Sequence, residues 1–118
     1  MKKKSLVYLE DILEAIEKIL EYVHGISLDE FEENTEKQDA VIRRFEIIGE
    51  ASRRLEDSFR ETYDQIPWVQ MVDFRNVLIH GYDTVELGIL WKVIQDGDLE
   101  KAKKQIEELR IALQGASL

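Results

Sequence analysis

Four side chains able to move a proton or hold an anion stand close together between Pro67 and Tyr82, in the stretch PWVQMVDFRNVLIHGY. They are the Arg75 guanidinium, the Asn76 amide, the His80 imidazole and the Tyr82 phenol. An imidazole titrates near neutral pH and a guanidinium suits a phosphate, so the chemistry on offer is proton transfer beside an anionic group.

A helix would deliver these groups. Pro67 suits its first turn, where a missing N–H has no intrahelical partner, and Gly81 suits the residue just past its end. Asn76 and His80, four apart, share one face, so the amide could hydrogen-bond the imidazole and fix its tautomer. Arg75 lies about 140° around the axis from His80 and roughly 7.5 Å along it, too far for direct contact. The two could still converge on a third body such as a phosphate, or on groups from a second subunit. His80 also sits where helix carbonyls point outward, which favours its imidazolium by about 0.3–1 kcal/mol.

The same sequence carries a control. His24-Gly25 repeats the His-Gly pattern at the end of the first helix, with Ile19 in the place of Arg75 and Ile26 in the place of Tyr82. His-Gly alone therefore says little, and a favourable last-turn histidine is the bland alternative for His80. Glu21-x-x-His24 matches one half of a di-iron carboxylate site, but His80 is preceded three positions earlier by Val77, so the second half is missing. No metal ligands and no cofactor are assigned.

Arg75-Asn76-x-x-x-His80-x-Tyr82 resembles the Arg-x4-His-x-Tyr signature of HEPN-domain ribonuclease toxins encoded beside minimal nucleotidyltransferase antitoxins. The resemblance extends to Tyr8-Leu9-x-Asp11-Ile12, Asp39-Ala40-Val41-Ile42-Arg43, Ile48-Gly49-Glu50-Ala51 and Ile66-Pro67-Trp68, and so covers nearly the whole chain. It implies a homodimer whose paired motifs line a cleft and cut RNA as an endonuclease. Carried over residue by residue, Arg75 and His80 match the catalytic pair and Asn76 a supporting polar position. Tyr82 matches the tyrosine that the partner nucleotidyltransferase adenylylates to silence the toxin.

Metal-free RNA cleavage needs a base for the 2′-hydroxyl proton, an acid for the leaving oxygen and a cation for the charged phosphorane. One copy of His80 and Arg75 is thin equipment for this, whereas two copies across a twofold axis supply base, acid and two guanidinium groups. Two other classes stay open. One is a non-catalytic HEPN module that binds a nucleotidyltransferase partner and its substrate; the other is a purely structural dimerising bundle.

The 118 residues carry a formal charge of −9 and no cysteine. One domain, 1–118, is expected, without a disulfide framework or thiolate metal site. The acidic balance argues against broad nucleic-acid binding, which relies on a basic surface. A local basic cleft can survive it, and the expected substrate is selective rather than bulk RNA. Met1-Lys2-Lys3-Lys4 begins like a signal peptide, but Glu10 and Asp11 interrupt the apolar run. With no apolar stretch long enough to span a bilayer, a cytoplasmic protein with no membrane partner is expected.

Helical spacing sets the supporting elements. Leu9, Ile12, Leu13, Ile16, Ile19, Leu20 and Val23 place a helix over 5–24, with Glu10, Glu14, Glu17 and Glu21 on its solvated side. Ser27 and Glu30 form a capping box for a short connector. A long helix over 35–55 follows, its apolar side formed by Val41, Phe45, Ile48, Ala51 and Leu55. Arg44 falls inside that apolar arc, and unpaired buried charge is costly, so it must snorkel, pair with a carboxylate or line the cleft. Gly49 weakens the helix by about 1 kcal/mol relative to Ala, which close approach of a neighbouring helix would explain. Arg53 and Arg54 fall on the polar side, most simply solvated. Leu87, Leu90, Trp91 and Ile94 share one face of a short helix, with Trp91 assigned to packing rather than base stacking. Asp96-Gly97-Asp98 breaks the chain before a last helix over 99–113, after which 115–118 frays. The expected architecture is all-α, an antiparallel HEPN-like bundle of four main helices with short additions.

Overall fold

The structure is a computed structural model that describes residues 2–80 and 86–116. Among the described residues all regular structure is helical: α1 (Lys2–Val23), α2 (Leu28–Glu33), α3 (Thr35–Arg54), α4 (Asp57–Thr62), α5 (Trp68–His80), α6 (Leu87–Gln95) and α7 (Asp98–Ala116). The expected all-α bundle is what forms, with α1, α3, α5 and α7 as its long members.

Helix α1 shows how the pattern becomes packing. Leu9, Ile12, Ile16 and Ile19 are fully buried, while Glu10, Glu14, Glu17 and Glu21 remain exposed. Gly25, at φ +74, supplies the left-handed conformation that ends the helix. His24 beside it is exposed, an ordinary surface residue at a helix end.

Side chains then fix the turn from α1 to α3. The Ser27 hydroxyl accepts from the Glu30 N–H at 3.1 Å, and the Ser27 N–H donates to the Glu30 carboxylate at 3.3 Å, the reciprocal pair expected of a capping box. Asn34 caps α3 through the Lys37 N–H at 3.0 Å. Lys37 Nζ donates to the Tyr22 carbonyl at the end of α1, and Gln38 to the Phe31 and Glu32 carbonyls of α2. Pairing of Tyr22 with Lys37 and of Glu14 with Arg44 makes α1 and α3 antiparallel.

Helix α3 is the centre of the bundle: Val41, Phe45 and Ile48 are buried against its neighbours. On one side it meets α1; on the other it meets α5, where Phe45 and Phe74 stack edge to face at 5.0 Å between ring centroids. Ser52, fully buried, donates to the Ile48 carbonyl at 2.8 Å and faces Met71. Pairing of Phe45 with Phe74 and of Ser52 with Met71 makes this interface antiparallel too. Helix α7 packs on α1 through the face carrying Ala102, Ile106, Leu109 and Leu113.

Short elements close the ends. Phe31 of α2 is fully buried and packs on Trp91 of α6 at 5.3 Å, so Trp91 serves packing. Trp68 at the start of α5 is buried, its indole N–H donating to the Tyr63 carbonyl at 3.0 Å. Ends differ from expectation by a few residues. The Pro67 carbonyl accepts the Met71 N–H at 3.1 Å, which places Pro67 at the cap of α5 rather than in its first turn. Gly97, at φ +91, precedes α7, whose first turn starts at Asp98 and whose last runs through Gly115. No helix among the described residues is long and apolar enough to cross a membrane.

Candidate functional site

Local sequence on α3 and close packing on α5 together build a cluster of guanidinium groups. Glu50 precedes Arg53 and Arg54 by three and four residues, the spacings at which helix side chains meet. Arg53 reaches the Glu50 carboxylate with two N–H groups, Nη2 to Oε1 at 2.8 Å and Nε to Oε2 at 3.3 Å. Arg54 Nε donates to the same Oε1 at 3.0 Å.

The third cation arrives from α5. Arg75 Nη2 lies 3.2 Å from Glu50 Oε2, and its Nη1 donates to the side-chain oxygen of Asn76 at 3.0 Å. Gly49 makes that approach possible. A Cβ built on Gly49 would collide with the Arg75 Cβ and come within 2.7 Å of its Cγ and 2.9 Å of the Met71 carbonyl. The glycine that weakens α3 therefore has the packing reason expected of it.

Burial tightens the arrangement. The Arg75 side chain is only 25% exposed, and its Nε is buried with no hydrogen-bond partner. Hydrogen bonds from Arg53 and then Arg54 hold the Glu50 carboxyl down at about 2, against the opposing effect of burial, with the charges of Arg53 and Arg75 adding to the depression. Glu50 in turn raises the Arg53 guanidinium.

The other sequence-selected residues are distributed as follows. His80 is the last residue of α5, one turn beyond Asn76; its imidazole lies outside the described part of the structure, as do Gly81 and Tyr82. Asn76 is joined to Arg75. Arg44 sits elsewhere, on the α1 side of α3, with its guanidinium 4.0 Å from the exposed Glu14 carboxylate. Sequence reasoning did not single out Glu50. Its spacing to Arg53 and Arg54 was readable as an ion-pair pattern, but its link to Arg75 exists only once α5 is docked.

Two surfaces flank the cluster. Val69, Val77 and Ile79 of α5 are exposed apolar side chains. A groove of about 440 Å³ opens on the opposite flank, lined by Phe45, Met71 and Phe74 together with Leu99 and Ala102 of α7. Arg75, Arg53 and Arg54 do not line it, so this apolar recess is separate from the guanidinium cluster. No group of three or more acidic or histidine side chains able to hold a metal occurs among the described residues.

Comparison with known proteins agrees with this architecture. The model of the family described as "HepT-like: Ribonuclease HepT-like" matches residues 12–109, which include Glu50, Arg75 and His80. "Putative RNase MJ1380" of Methanocaldococcus jannaschii is 42% identical over 106 residues, covering 90% of this chain and 96% of that protein. "Probable ribonuclease HepT" of Thermococcus cleftensis is 42% identical over 110 residues, covering 93% and 99%. "Gamma-glutamylcyclotransferase and putative RNase MJ0434" of Methanocaldococcus jannaschii is 45% identical over 106 residues, which are 90% of this chain and 47% of that protein. No solved structure matches. With a family model spanning most of its length and relatives matched nearly end to end, this chain belongs to the HepT-like ribonuclease family of the HEPN superfamily.

Proposed function

We propose that the protein is a metal-independent endoribonuclease, the toxin of a toxin–antitoxin pair, and that it acts as a homodimer. The observation that carries this reading is the Arg75 guanidinium, held at the α3–α5 junction by Glu50 and Asn76, on the helix that ends at His80. A fixed cation within two turns of an imidazole is what a phosphoryl transfer to a 2′-hydroxyl requires.

In the proposed step one copy of His80 takes the proton from a ribose 2′-hydroxyl as its oxygen bonds to phosphorus. The bond from phosphorus to the 5′-oxygen breaks, and the second copy of His80 gives that oxygen its proton. The products are a 2′,3′-cyclic phosphate and a 5′-hydroxyl, with both Arg75 guanidinium groups facing the charge that builds on the phosphorane. Asn76 has a supporting role by orienting Arg75. Arg44, paired toward α1, enters only as an outlying cation of the cleft.

Dimerisation through the α5 face would bring two His80 positions together, and the exposed Val69 and Val77 on that helix offer apolar surface for it. The cognate minimal nucleotidyltransferase would silence the site by transferring AMP to the Tyr82 oxygen with release of pyrophosphate. The added phosphate repels RNA and fills the cleft. Action on cellular RNA makes the cytoplasm the site of action.

Incubation of total RNA with mass-verified unmodified protein in the presence of chelator tests the reading. The expected result is cleavage that is lost in His80→Ala and in Arg75→Ala. Intact RNA at high enzyme excess, with the protein still binding its nucleotidyltransferase, would overturn it in favour of a non-catalytic binding module. Mass spectrometry after incubation with the partner and ATP should show one added AMP, absent in Tyr82→Phe.

A further inference from the structure

Charge balance around Glu50 raises a question that a structural role does not answer. One guanidinium is enough to neutralise one carboxylate, yet three converge on it, leaving a local excess of positive charge in a chain whose formal charge is −9. Arg53 and Arg54 are 54% and 57% exposed, so burial does not explain them either. Both occupy the last turn of α3, where the helix end favours cations, and each guanidinium carries about five N–H donors, most of which remain unused by Glu50.

We propose that Arg53 and Arg54 form a phosphate subsite for the RNA strand, continuous with Arg75, in which the two exposed guanidinium groups take backbone phosphates adjoining the one that is cleaved. This assignment rests on the ribonuclease reading. Glu50 is the positioning residue of the subsite. By accepting hydrogen bonds from Arg53 and Arg54 and pairing with Arg75 it holds the three within one carboxylate's reach and offsets their mutual repulsion, and it leaves the outer edges of the exposed guanidinium forks free for bidentate phosphate contact. The cluster also explains how an acidic protein engages RNA. Three guanidinium groups around one carboxylate leave a local positive excess at the α3–α5 junction, which favours the strand there in a chain whose formal charge is otherwise repulsive.

The test is the salt dependence of single-stranded RNA binding, measured on the His80→Ala protein so that the strand stays intact, together with cleavage kinetics in the wild-type background. Replacing Arg53 and Arg54 together by Ala should flatten the plot of log affinity against log salt by about 1.4, about 0.7 for each lost contact. Affinity at physiological salt should fall at least tenfold. In cleavage, KM should rise by a similar factor while kcat stays within about twofold. Lysine at both positions should restore the slope, and Lys18→Ala, which removes a partly exposed cation on α1, on the other side of α3 from α5, should leave it unchanged.

An unchanged slope in the double alanine variant, or an equal loss in Lys18→Ala, overturns the subsite. Failure of the underlying reading looks different. In that case wild-type protein leaves RNA intact, or Arg75→Ala and His80→Ala cleave normally, whatever the slope does.

Discussion

Gly49 on α3 and Arg75 on α5 are in contact so close that no side chain larger than hydrogen fits between their backbones. The Cβ of an alanine at 49 would meet the Arg75 stem and the Met71 carbonyl, and a carbonyl cannot swing aside as the end of a flexible side chain can. Gly49→Ala gains about 1 kcal/mol of helix propensity but forces the two helices apart, at a cost that overpacking puts above that gain. A net destabilisation of about 1–3 kcal/mol is expected in urea unfolding, with cleavage reduced in the folded fraction.

Acid should unfasten the cluster. Glu50 titrates near 4.5 unfolded and about 2 folded, so its pairing stabilises the fold above the unfolded value and is lost as pH falls from about 4.5 to about 2. Allowing for screening at this partly exposed site, the contribution is on the order of 1 kcal/mol. Glu50→Gln removes it, so the stability difference between wild type and variant should be present at pH 7 and close in that acid window.

Lysine cannot replace Arg75. The guanidinium reaches Glu50 with one nitrogen and Asn76 with another, a fork that a single ammonium cannot reproduce. Arg75→Lys should keep the fold by circular dichroism and lower kcat by about 10²–10³-fold, the loss typical of a missing charge-stabilising donor.

The two exposed valines of α5 give the dimer its own check. Val77 is 62% exposed in the single chain, so Val77→Asp leaves the protomer's core untouched. Sedimentation equilibrium should show a shift toward monomer, with cleavage falling in parallel. A dimer of wild-type strength would remove the α5 face as the interface.

At the other end of the molecule, Phe31→Ala should cost about 3–5 kcal/mol, because a fully buried ring that packs on Trp91 is deleted. Thermal unfolding followed by tryptophan fluorescence should report the loss.

Much of this architecture is written plainly in the sequence. The apolar stripe from Leu9 to Val23 and its acidic counterpart specify α1, and Ser27 with Glu30 specifies the start of α2, because each depends only on neighbours in the chain. Gly49 pointed to a close helix approach without saying which helix arrives. The α5 stretch was harder to orient: its apolar residues are spread around the whole helix, so no periodicity separates Leu78, which is buried, from Val69 and Val77, which are not. The Glu50–Arg75 contact was illegible for another reason. It joins residues distant in sequence, and its partners on α3 look like ordinary surface ion pairs until α5 is in place. His80 and Tyr82 rest on the motif and on family membership.

That division between local and distant contacts orders the assembly of the site in time. Glu50, Arg53 and Arg54 can associate as soon as one helix has wound, and the side-chain tethers from Lys37 and Gln38 join that helix to the chain preceding it. Arg75 joins only when α5 docks over Gly49. A nascent or locally opened chain thus carries the Glu50, Arg53 and Arg54 charges without Arg75, and loosening of α5 alone is enough to take the cluster apart.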